Sequence, residues 1–217
     1  MYDLDVRILR ALTCGFDPAW GDVVAQALND DVFGACVFAL LALLGLLAAR
    51  ARAQAPRALL AVLLCVGALH LVRMGCWKVA PRDRPGTAFG KDHVLMGPFE
   101  RATCERRPDA IVARAYPPSS PSFPSSHTIT AGGIAVILGI VAPWPVGLLA
   151  WLYALLVGTA RVYWSKHWPS DIVGSLLLCV VVGRLAWWAA GRIDARVRGP
   201  GAGGGAPVAP PPPAVEG

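Results

Sequence analysis

Five long apolar runs, separated by polar connections, dominate the pattern of this chain. Each approaches the roughly 20 apolar residues that a helix needs to cross a bilayer. The pattern predicts an all-α fold, a polytopic membrane helical bundle with about five transmembrane helices. We expect these helices at about residues 32–49, 58–77, 126–143, 145–161 and 171–190.

The N-terminal residues have a different pattern. Leu4, Ile8 and Leu12 recur at helical spacing, but acidic and basic side chains interrupt them. This segment is too polar to cross a bilayer. The sequence therefore predicts one or two amphipathic helices over residues 1–31, broken near Gly15 and lying along the membrane interface.

Composition changes again near the C terminus. Residues 199–217 consist mostly of Gly, Ala and Pro and include four consecutive prolines, Pro210–Pro213. Such a segment cannot bury a core, and we expect a disordered tail. Residues 32–198 then form the transmembrane domain, which carries a long polar outer loop over residues 78–125.

Charge placement predicts the orientation of the bundle. Apolar residues make up 55% of the chain and charged residues only 16%, which favours a membrane protein over a soluble one. No cleavable signal peptide is evident. The positive-inside rule assigns the arginine-rich side and the tail to the cytoplasm, so the long loop faces outside. The arginines on the inner side are Arg50, Arg52, Arg57, Arg192, Arg196 and Arg198.

Three stretches far apart in the chain carry side chains that can handle phosphate. The first places Lys78 and Arg84, followed by Pro85, just after the second span. Lysine and arginine cations stabilise the charge on phosphoryl oxygens, and arginine can bind phosphate through two N–H groups. A structural alternative for Lys78 is a side chain that snorkels at the end of a span.

The second stretch lies where the long loop becomes the third span, and reads Pro124, Ser125, Ser126, His127. A helix N terminus offers free N–H donors and a favourable dipole to an anion. His127 could protonate a leaving oxygen at this position. Ser125 and Ser126 could instead cap the helix, which is a purely structural role.

The third stretch contains Arg161, His167 and Asp171, around the connection between the last two spans. An aspartate that accepts a hydrogen bond from one imidazole nitrogen leaves the other nitrogen free to attack phosphorus. The structural alternative is a helix-capping aspartate beside an interfacial histidine, with Trp164 and Trp168 in an aromatic belt.

Together these stretches resemble the three signature blocks of the type 2 phosphatidic-acid phosphatase superfamily. Its pattern is Lys, six residues, Arg-Pro; then Pro-Ser-Gly-His; then Ser-Arg, five residues, His, three residues, Asp. Here Ser126 replaces the glycine of the second block, and Ala160 replaces the serine of the third. Only five residues separate Lys78 from Arg84. Either the turn is one residue tighter, or Arg82 shares the task of Lys78.

The resemblance implies a phosphatase that works in two steps, through a phosphohistidine, and needs neither a metal ion nor another cofactor. His167 would be the nucleophile, oriented by Asp171. His127 would protonate the leaving group and then activate water. The phosphoryl oxygens would be bound by the remaining site residues, Lys78, Arg84, Ser125, Ser126 and Arg161.

We therefore predict an integral membrane enzyme, a hydrolase of lipid phosphomonoesters or diphosphates, with no nucleic-acid partner. Its site would face the periplasm from a bacterial inner membrane. Candidate substrates are polyprenyl diphosphate, phosphatidic acid, phosphatidylglycerol phosphate and lipid A, and the sequence does not choose among them or give the oligomeric state. A lipid phosphotransferase would use the same residues and stays open. Vanadium haloperoxidases share the site pattern, but five apolar spans argue against a soluble oxidase. A transporter without catalysis is disfavoured, because the span cores are nearly free of charge.

Three of the six cysteines fall on the predicted outer side, at Cys14, Cys76 and Cys104. A disulfide between two of them is open, although free thiols are the favoured interpretation. None of the six has the spacing of a metal site.

Overall fold

The computed structural model describes residues 2–15, 18–47, 49–88, 94–96, 111–113 and 120–198. Within these ranges the chain forms eight helices and two short strands. In chain order they are α1 (Tyr2–Gly15), α2 (Pro18–Asn29), α3 (Asp31–Leu46), α4 (Ala49–Val79), α5 (Pro85–Ala88), β1 (Val94–Met96), β2 (Ile111–Ala113), α6 (Ser126–Val141), α7 (Trp144–Tyr163) and α8 (Pro169–Arg198). The predicted tail over residues 199–217 lies outside the described residues.

Helices occupy all five segments that the apolar pattern indicates, which confirms the prediction of a helical membrane bundle. Among the described residues, three helical segments are long and apolar enough to cross a membrane: Ala53–Val79, Trp144–Tyr163 and Pro169–Val197. Helices α2 and α3 meet at a bend of 72° and give a fourth crossing if they form one broken span. Helix α6 is apolar but has 16 residues, so length alone gives three or four crossings instead of five.

Helix α6 lies inside the bundle, where it packs against α4, α7 and α8. Glycines allow these helices to approach closely. A Cβ on Gly132 would lie 2.8 Å from Sγ of Cys179, and one on Gly183 would lie 2.7 Å from Cγ1 of Val136. Small residues at such contacts let the backbones of membrane helices come near each other. This packing fixes α6, and with it His127 in its first turn.

The N-terminal region forms two helices, with the break after Gly15 that the sequence predicts. One face of α1 packs into the bundle, where Leu9 is fully buried among Val162, Trp168 and Ile172. The opposite face is open, and Leu4 is 62% exposed. The amphipathic helix α1 therefore covers the facing ends of α7 and α8.

The two strands belong to the long connection between α5 and α6. They pair in parallel, with Val94 opposite Ile111 and Met96 opposite Ala113. Strand β2 lies against α1. This pairing is the one sheet among the described residues.

The cysteines correct one interpretation of the sequence. Cys14 is disulfide-bonded, whereas free thiols were favoured on the sequence alone. Cys76, the second cysteine on the predicted outer side, is free. Cys104 lies outside the described residues.

Candidate active site

Arg84 is positioned by the short segment that follows α4. This helix ends at Val79, and the chain then runs without regular structure to Arg84, after which Pro85 begins the single turn of α5. The carbonyl of Arg84 accepts hydrogen bonds from the N–H groups of Thr87 and Ala88, at 2.9 and 2.8 Å. Its side chain enters the protein, and the residue is only 6% exposed.

The guanidinium of Arg84 connects the first block to the loops that carry the other two. It donates hydrogen bonds to the carbonyl oxygens of Ser120, Pro121 and Lys166, at 2.8, 3.2 and 2.6 Å. Its Nη1 atom also lies 3.1 Å from Nε2 of His167. The five donors of an arginine suit such a clamp, since a lysine could not span these acceptors.

The contacts of His167 determine which ring nitrogen carries its proton. Nδ1 lies 2.7 Å from the carbonyl oxygen of Ser122, and a carbonyl can only accept. Nε2 faces Arg84, which can only donate. Nδ1 therefore carries the proton and Nε2 carries the lone pair. Nε2 is thus the unprotonated ring nitrogen, and its lone pair points toward Arg84.

Asp171 supports His167 by a less direct route than the sequence suggested. Its Oδ2 atom lies 3.9 Å from Nδ1 of His167, which is beyond hydrogen-bond range. Instead, Asp171 accepts hydrogen bonds from the hydroxyl of Ser122 and, at 2.9 Å, from the backbone N–H of Trp168. Ser122 therefore stands between the two, because its carbonyl accepts from the imidazole while its hydroxyl donates to the carboxylate. It lies outside the three blocks, and no motif spacing pointed to it.

The first block contains two further cations, Lys78 and Arg82. Lys78 is exposed at the end of α4, and it makes no hydrogen bond or ion pair within the part of the chain that the structure describes. Arg82 is bound between two carboxylates, at 2.6 Å from Asp171 and 2.8 Å from Asp5. Its guanidinium is thus committed to these carboxylates. The phosphate-binding role of Lys78 stays a prediction from the sequence.

The second block lies at the start of α6. Nε2 of His127 is 3.6 Å from a carboxylate oxygen of Asp31, and Nδ1 is 3.4 Å from the hydroxyl of Ser126. Ser125 is fully buried, its hydroxyl accepts a hydrogen bond from Thr128, and it forms no side-chain cap on the helix. Ser125 thus does not cap the N–H groups of this first turn. An anion site at a helix N terminus requires such uncapped N–H groups.

Arg161 comes from the last turn of α7 and is 7% exposed. Its Nη1 atom donates to the side-chain oxygen of Asn29 at 2.5 Å. Its Nε atom is buried and has no hydrogen-bond partner among the described residues. A buried donor without a partner is costly, and a phosphoryl oxygen would satisfy it. Asn29 ends α2, and nothing in the motif spacing pointed to it.

Lys166 is a further cation that the motif analysis did not single out. It directly precedes His167, and its ammonium lies 4.6 Å from the centre of the Trp164 ring. Burial, followed by the charges of Arg161 and Arg84, lowers the pKa of Lys166 to about 8. Its position beside the histidine of the third block was the available sequence signal.

The electrostatics of the site favour a neutral histidine surrounded by cations. Burial is the main reason that the pKa of His167 lies well below its usual value, and Arg84 and Arg161 add to the effect. Burial also lowers the pKa of Arg84, against the opposing charge of Asp171. A phosphoryl dianion would compensate this excess of positive charge.

A cavity of about 460 Å³ opens beside the second block. Its polar end carries Asp30, Asp31, Ser126, His127 and His70. The Nε2 atom of His70 is 3.2 Å from the hydroxyl of Thr130. Its other walls are largely apolar, as in Leu28, Ala35, Phe38, Ile134, Tyr153 and Val157. Such a cavity suits a molecule that has a polar head and an apolar chain.

The described residues contain no group of three or more His, Cys, Asp or Glu side chains placed to hold a metal ion.

These features place the buried Arg84, Arg161 and His167 close together at one end of a helical membrane bundle. The model of the PAP2 superfamily matches residues 82–194, which is more than half of the chain. The chain belongs to the PAP2 superfamily, and the resemblance seen in its three blocks is thereby confirmed. The matched region includes both site histidines and Arg84, but neither Lys78 nor α1.

Similar proteins are found among curated sequences and solved structures. The decaprenylphosphoryl-5-phosphoribose phosphatase of Mycobacterium tuberculosis is 28% identical over 129 residues, 56% of this chain and 70% of that protein. The lipid A 1-phosphatase of Porphyromonas gingivalis is 30% identical over 86 residues, 38% of this chain but only 18% of that protein.

A crystal structure of a transmembrane PAP2-type phosphatidylglycerolphosphate phosphatase from Bacillus subtilis has the same fold. Its TM-score is 0.58 at 20% identity, and the match covers 88% of this chain and 87% of that one. The membrane-spanning helices and these relatives make this chain an integral membrane protein.

Proposed function

We propose that this chain is a lipid phosphatase that hydrolyses a phosphate or diphosphate head group through a phosphohistidine on His167. The observation that carries the proposal is the fixed state of the His167 imidazole. The Ser122 carbonyl holds the proton on Nδ1, and Arg84 faces the lone pair on Nε2. This is the arrangement that a nucleophilic imidazole needs.

The first step transfers the phosphoryl group from the lipid to the protein. Nε2 of His167 forms a bond to phosphorus as the bond from phosphorus to the leaving oxygen breaks. The cations Arg84, Arg161 and Lys166 stabilise the charge on the phosphoryl oxygens, and the Nε–H group of Arg161, which has no partner among the described residues, donates a hydrogen bond to one of them. His127 gives its proton to the leaving oxygen.

The second step restores the protein. His127, now neutral, removes a proton from water, and the resulting hydroxide attacks phosphorus while the bond to Nε2 of His167 breaks. Asp31 lies 3.6 Å from Nε2 of His127, where its carboxylate can orient the imidazole. Inorganic phosphate and the dephosphorylated lipid are the products.

The cavity beside His127 supports a lipid as the substrate. Ser126 and His127 of the site line its polar end, while its apolar walls lie mainly between α3, α6 and α7. A lipid could keep its chain in this cavity with its head group among the cations. The related proteins named above act on a polyprenyl-linked sugar phosphate and on a lipid A phosphate, so a phosphate on a long-chain or multi-chain lipid is the proposed substrate class.

We place the site at the outer face of a bacterial inner membrane, with the C-terminal tail in the cytoplasm. Cys14 supports this orientation, because disulfides persist in oxidising compartments. At the other end of the bundle, Arg57 stacks 3.8 Å from the centre of the Trp187 ring. An arginine in this position follows the positive-inside rule.

The proposal is tested by phosphate release from the detergent-purified protein, with EDTA present throughout. The panel contains decaprenylphosphoryl-5-phosphoribose, a polyprenyl diphosphate, phosphatidylglycerol phosphate, phosphatidic acid and lipid A. We expect release from at least one lipid, and its loss in His167→Ala. Release from none of them, or release by His167→Ala at the rate of the unmodified protein, would contradict the proposal.

A further inference from the structure

We propose that Asp5 on α1 is a positioning residue of the active site, which holds Arg82 and Asp171 in place for catalysis. This inference rests on the function proposed above. Asp5 lies in a helix outside residues 82–194, the region that the family model matches. The N-terminal helix would thus be part of the working site and not only an attachment to the membrane surface.

Asp5 is buried and makes three short polar contacts. It is 3% exposed, although it stands in a helix with an open outer face. Its carboxylate accepts hydrogen bonds from Nη2 of Arg82 at 2.8 Å, from the backbone N–H of Ser170 at 2.8 Å, and from the Ser170 hydroxyl at 2.6 Å. A buried charge is retained at such a position only where it is paired.

The contacts continue from Asp5 to the nucleophile without a break. Nη1 of Arg82 donates to Asp171 at 2.6 Å. Asp171 accepts from the hydroxyl of Ser122, and the carbonyl of Ser122 lies 2.7 Å from Nδ1 of His167. The order of charges from Asp5 to Asp171 is negative, positive, negative.

This order gives Asp5 a function in the reaction. Asp171 is fully buried, so its charge requires a partner. Arg82 is that partner, but its side chain is 31% exposed, so water competes with Asp171 for its guanidinium. Asp5 binds the other edge of the Arg82 guanidinium and keeps it against Asp171. Without Asp5, Arg82 can turn away, and the support that Asp171 gives to Ser122 and His167 weakens.

A role in positioning makes a specific kinetic prediction for Asp5→Asn. Asp5 does not contact the cations that bind the phosphoryl group, so the KM should stay within about twofold. The lost charged hydrogen bond to Arg82 should lower kcat by about tenfold. The inhibition constant of inorganic phosphate, measured with the same detergent-purified protein, should be as little changed as the KM, although the kcat falls.

The matched control is Asp3→Asn, on the same helix. Asp3 makes the same kind of ion pair, with Arg7 at 3.0 Å, but both side chains are largely exposed, at 81% and 77%. The same substitution there changes the charge of α1 equally and removes no contact with the site. We expect the kinetic constants of Asp3→Asn to equal those of the unmodified protein. An equal loss of kcat in both variants, or unchanged kcat in Asp5→Asn, would overturn the inference.

A second variant keeps the test decisive if Asp5→Asn does not fold. Arg82→Lys preserves the charge, but a single ammonium cannot span both carboxylates with the geometry of a guanidinium. We expect its kcat to fall by about tenfold. Its thermal unfolding midpoint shows whether the variant is folded. If Asp5 acts through Arg82, the kcat of the double variant Asp5→Asn/Arg82→Lys should be little lower than that of either single variant. The inference would be overturned if the fold-losses in kcat of the two single variants multiplied in the double variant. It would also be overturned if a folded Arg82→Lys kept the kcat of the unmodified protein.

The experiment also separates this inference from the proposed function. If the unmodified protein hydrolyses no lipid phosphate, the proposed function fails and the role of Asp5 fails with it. If the unmodified protein hydrolyses its lipid and Asp5→Asn does so equally well, the function stands and the role of Asp5 alone is refuted.

Discussion

The phosphatase activity should decline as the pH rises above about 8, and replacing Lys166 by arginine should remove this decline. Burial, Arg161 and Arg84 lower the pKa of Lys166 to about 8. A lysine binds phosphate only as the cation, so its contribution is present below this pKa and is lost as the pH rises through it. Arginine keeps its charge, since its usual pKa lies above about 12. The two side chains therefore predict different pH profiles.

The size of the effect follows from the titration of Lys166. With a pKa of about 8, about nine-tenths of the side chains carry charge at about pH 7 and about one-tenth at about pH 9. The value of kcat/KM, which reports the free enzyme, should therefore fall by nearly tenfold over that interval. A bound phosphoryl group raises the pKa of a neighbouring lysine, so the decline in kcat should begin at higher pH.

The assay measures the initial rate of phosphate release at several lipid concentrations, from about pH 6 to about pH 10. The stability of the protein is checked at each pH. The alkaline decline should be present in the unmodified protein and absent in Lys166→Arg. Lys166→Met should lose about tenfold in kcat/KM at neutral pH, whereas Lys78→Met, at an exposed lysine, should stay within about twofold. An identical alkaline decline in Lys166→Arg would refute the role of Lys166. A larger loss in Lys78→Met than in Lys166→Met would restore Lys78 as the phosphate ligand.

Three further predictions follow from the site. Arg84→Lys should lower kcat by about 10²–10³, because the guanidinium clamp faces both the phosphoryl group and the His167 nitrogen; an activity within twofold, by the phosphate-release assay, would contradict its placement. Ser122→Ala should lower kcat by no more than about tenfold, since it removes the hydroxyl donor to Asp171 but keeps the carbonyl that holds His167; a loss as large as that of His167→Ala would mean that the hydroxyl itself takes part in the reaction. Dithiothreitol should lower the thermal unfolding midpoint of the unmodified protein, because a disulfide contributes about 2–4 kcal/mol, and it should not affect Cys14→Ser; an equal shift in both would show that the bond at Cys14 is not the one being reduced.

The sequence was sufficient to predict the helical bundle, and the structure brings several of the predicted site residues together. Apolar runs of nearly 20 residues have the length of a helix that crosses a bilayer. The helices therefore lie where the pattern places them. The spacing of Arg161, His167 and Asp171 was also informative, because a short connection between two antiparallel helices leaves few ways to arrange three such residues. The family match confirms the resemblance carried by these blocks.

The parts that the sequence could not predict depend on contacts between distant segments. Helix α4 continues to Val79, so the direction of Lys78 is set by the helix, and its side chain ends in an exposed position. Ser122 acts through its backbone carbonyl as well as its hydroxyl, and a backbone atom leaves no trace in residue spacing. Asp5 and Asn29 enter the site because α1 and α2 fold back onto the bundle, a packing that hydrophobic periodicity does not specify.

The central claim is that Nε2 of His167 attacks phosphorus, and the most direct test is to trap the phosphorylated protein. The purified protein would be mixed with a ³²P-labelled lipid substrate from the panel, quenched within milliseconds under alkaline conditions, and separated by electrophoresis. We predict a label on the protein that survives alkali, is released by mild acid, as a phosphorus–nitrogen bond requires, and maps to the peptide containing His167. Absence of the label in His167→Ala, with retention in Asp3→Asn, completes the expected result. A label that survives acid, or one that persists in His167→Ala, would contradict the account.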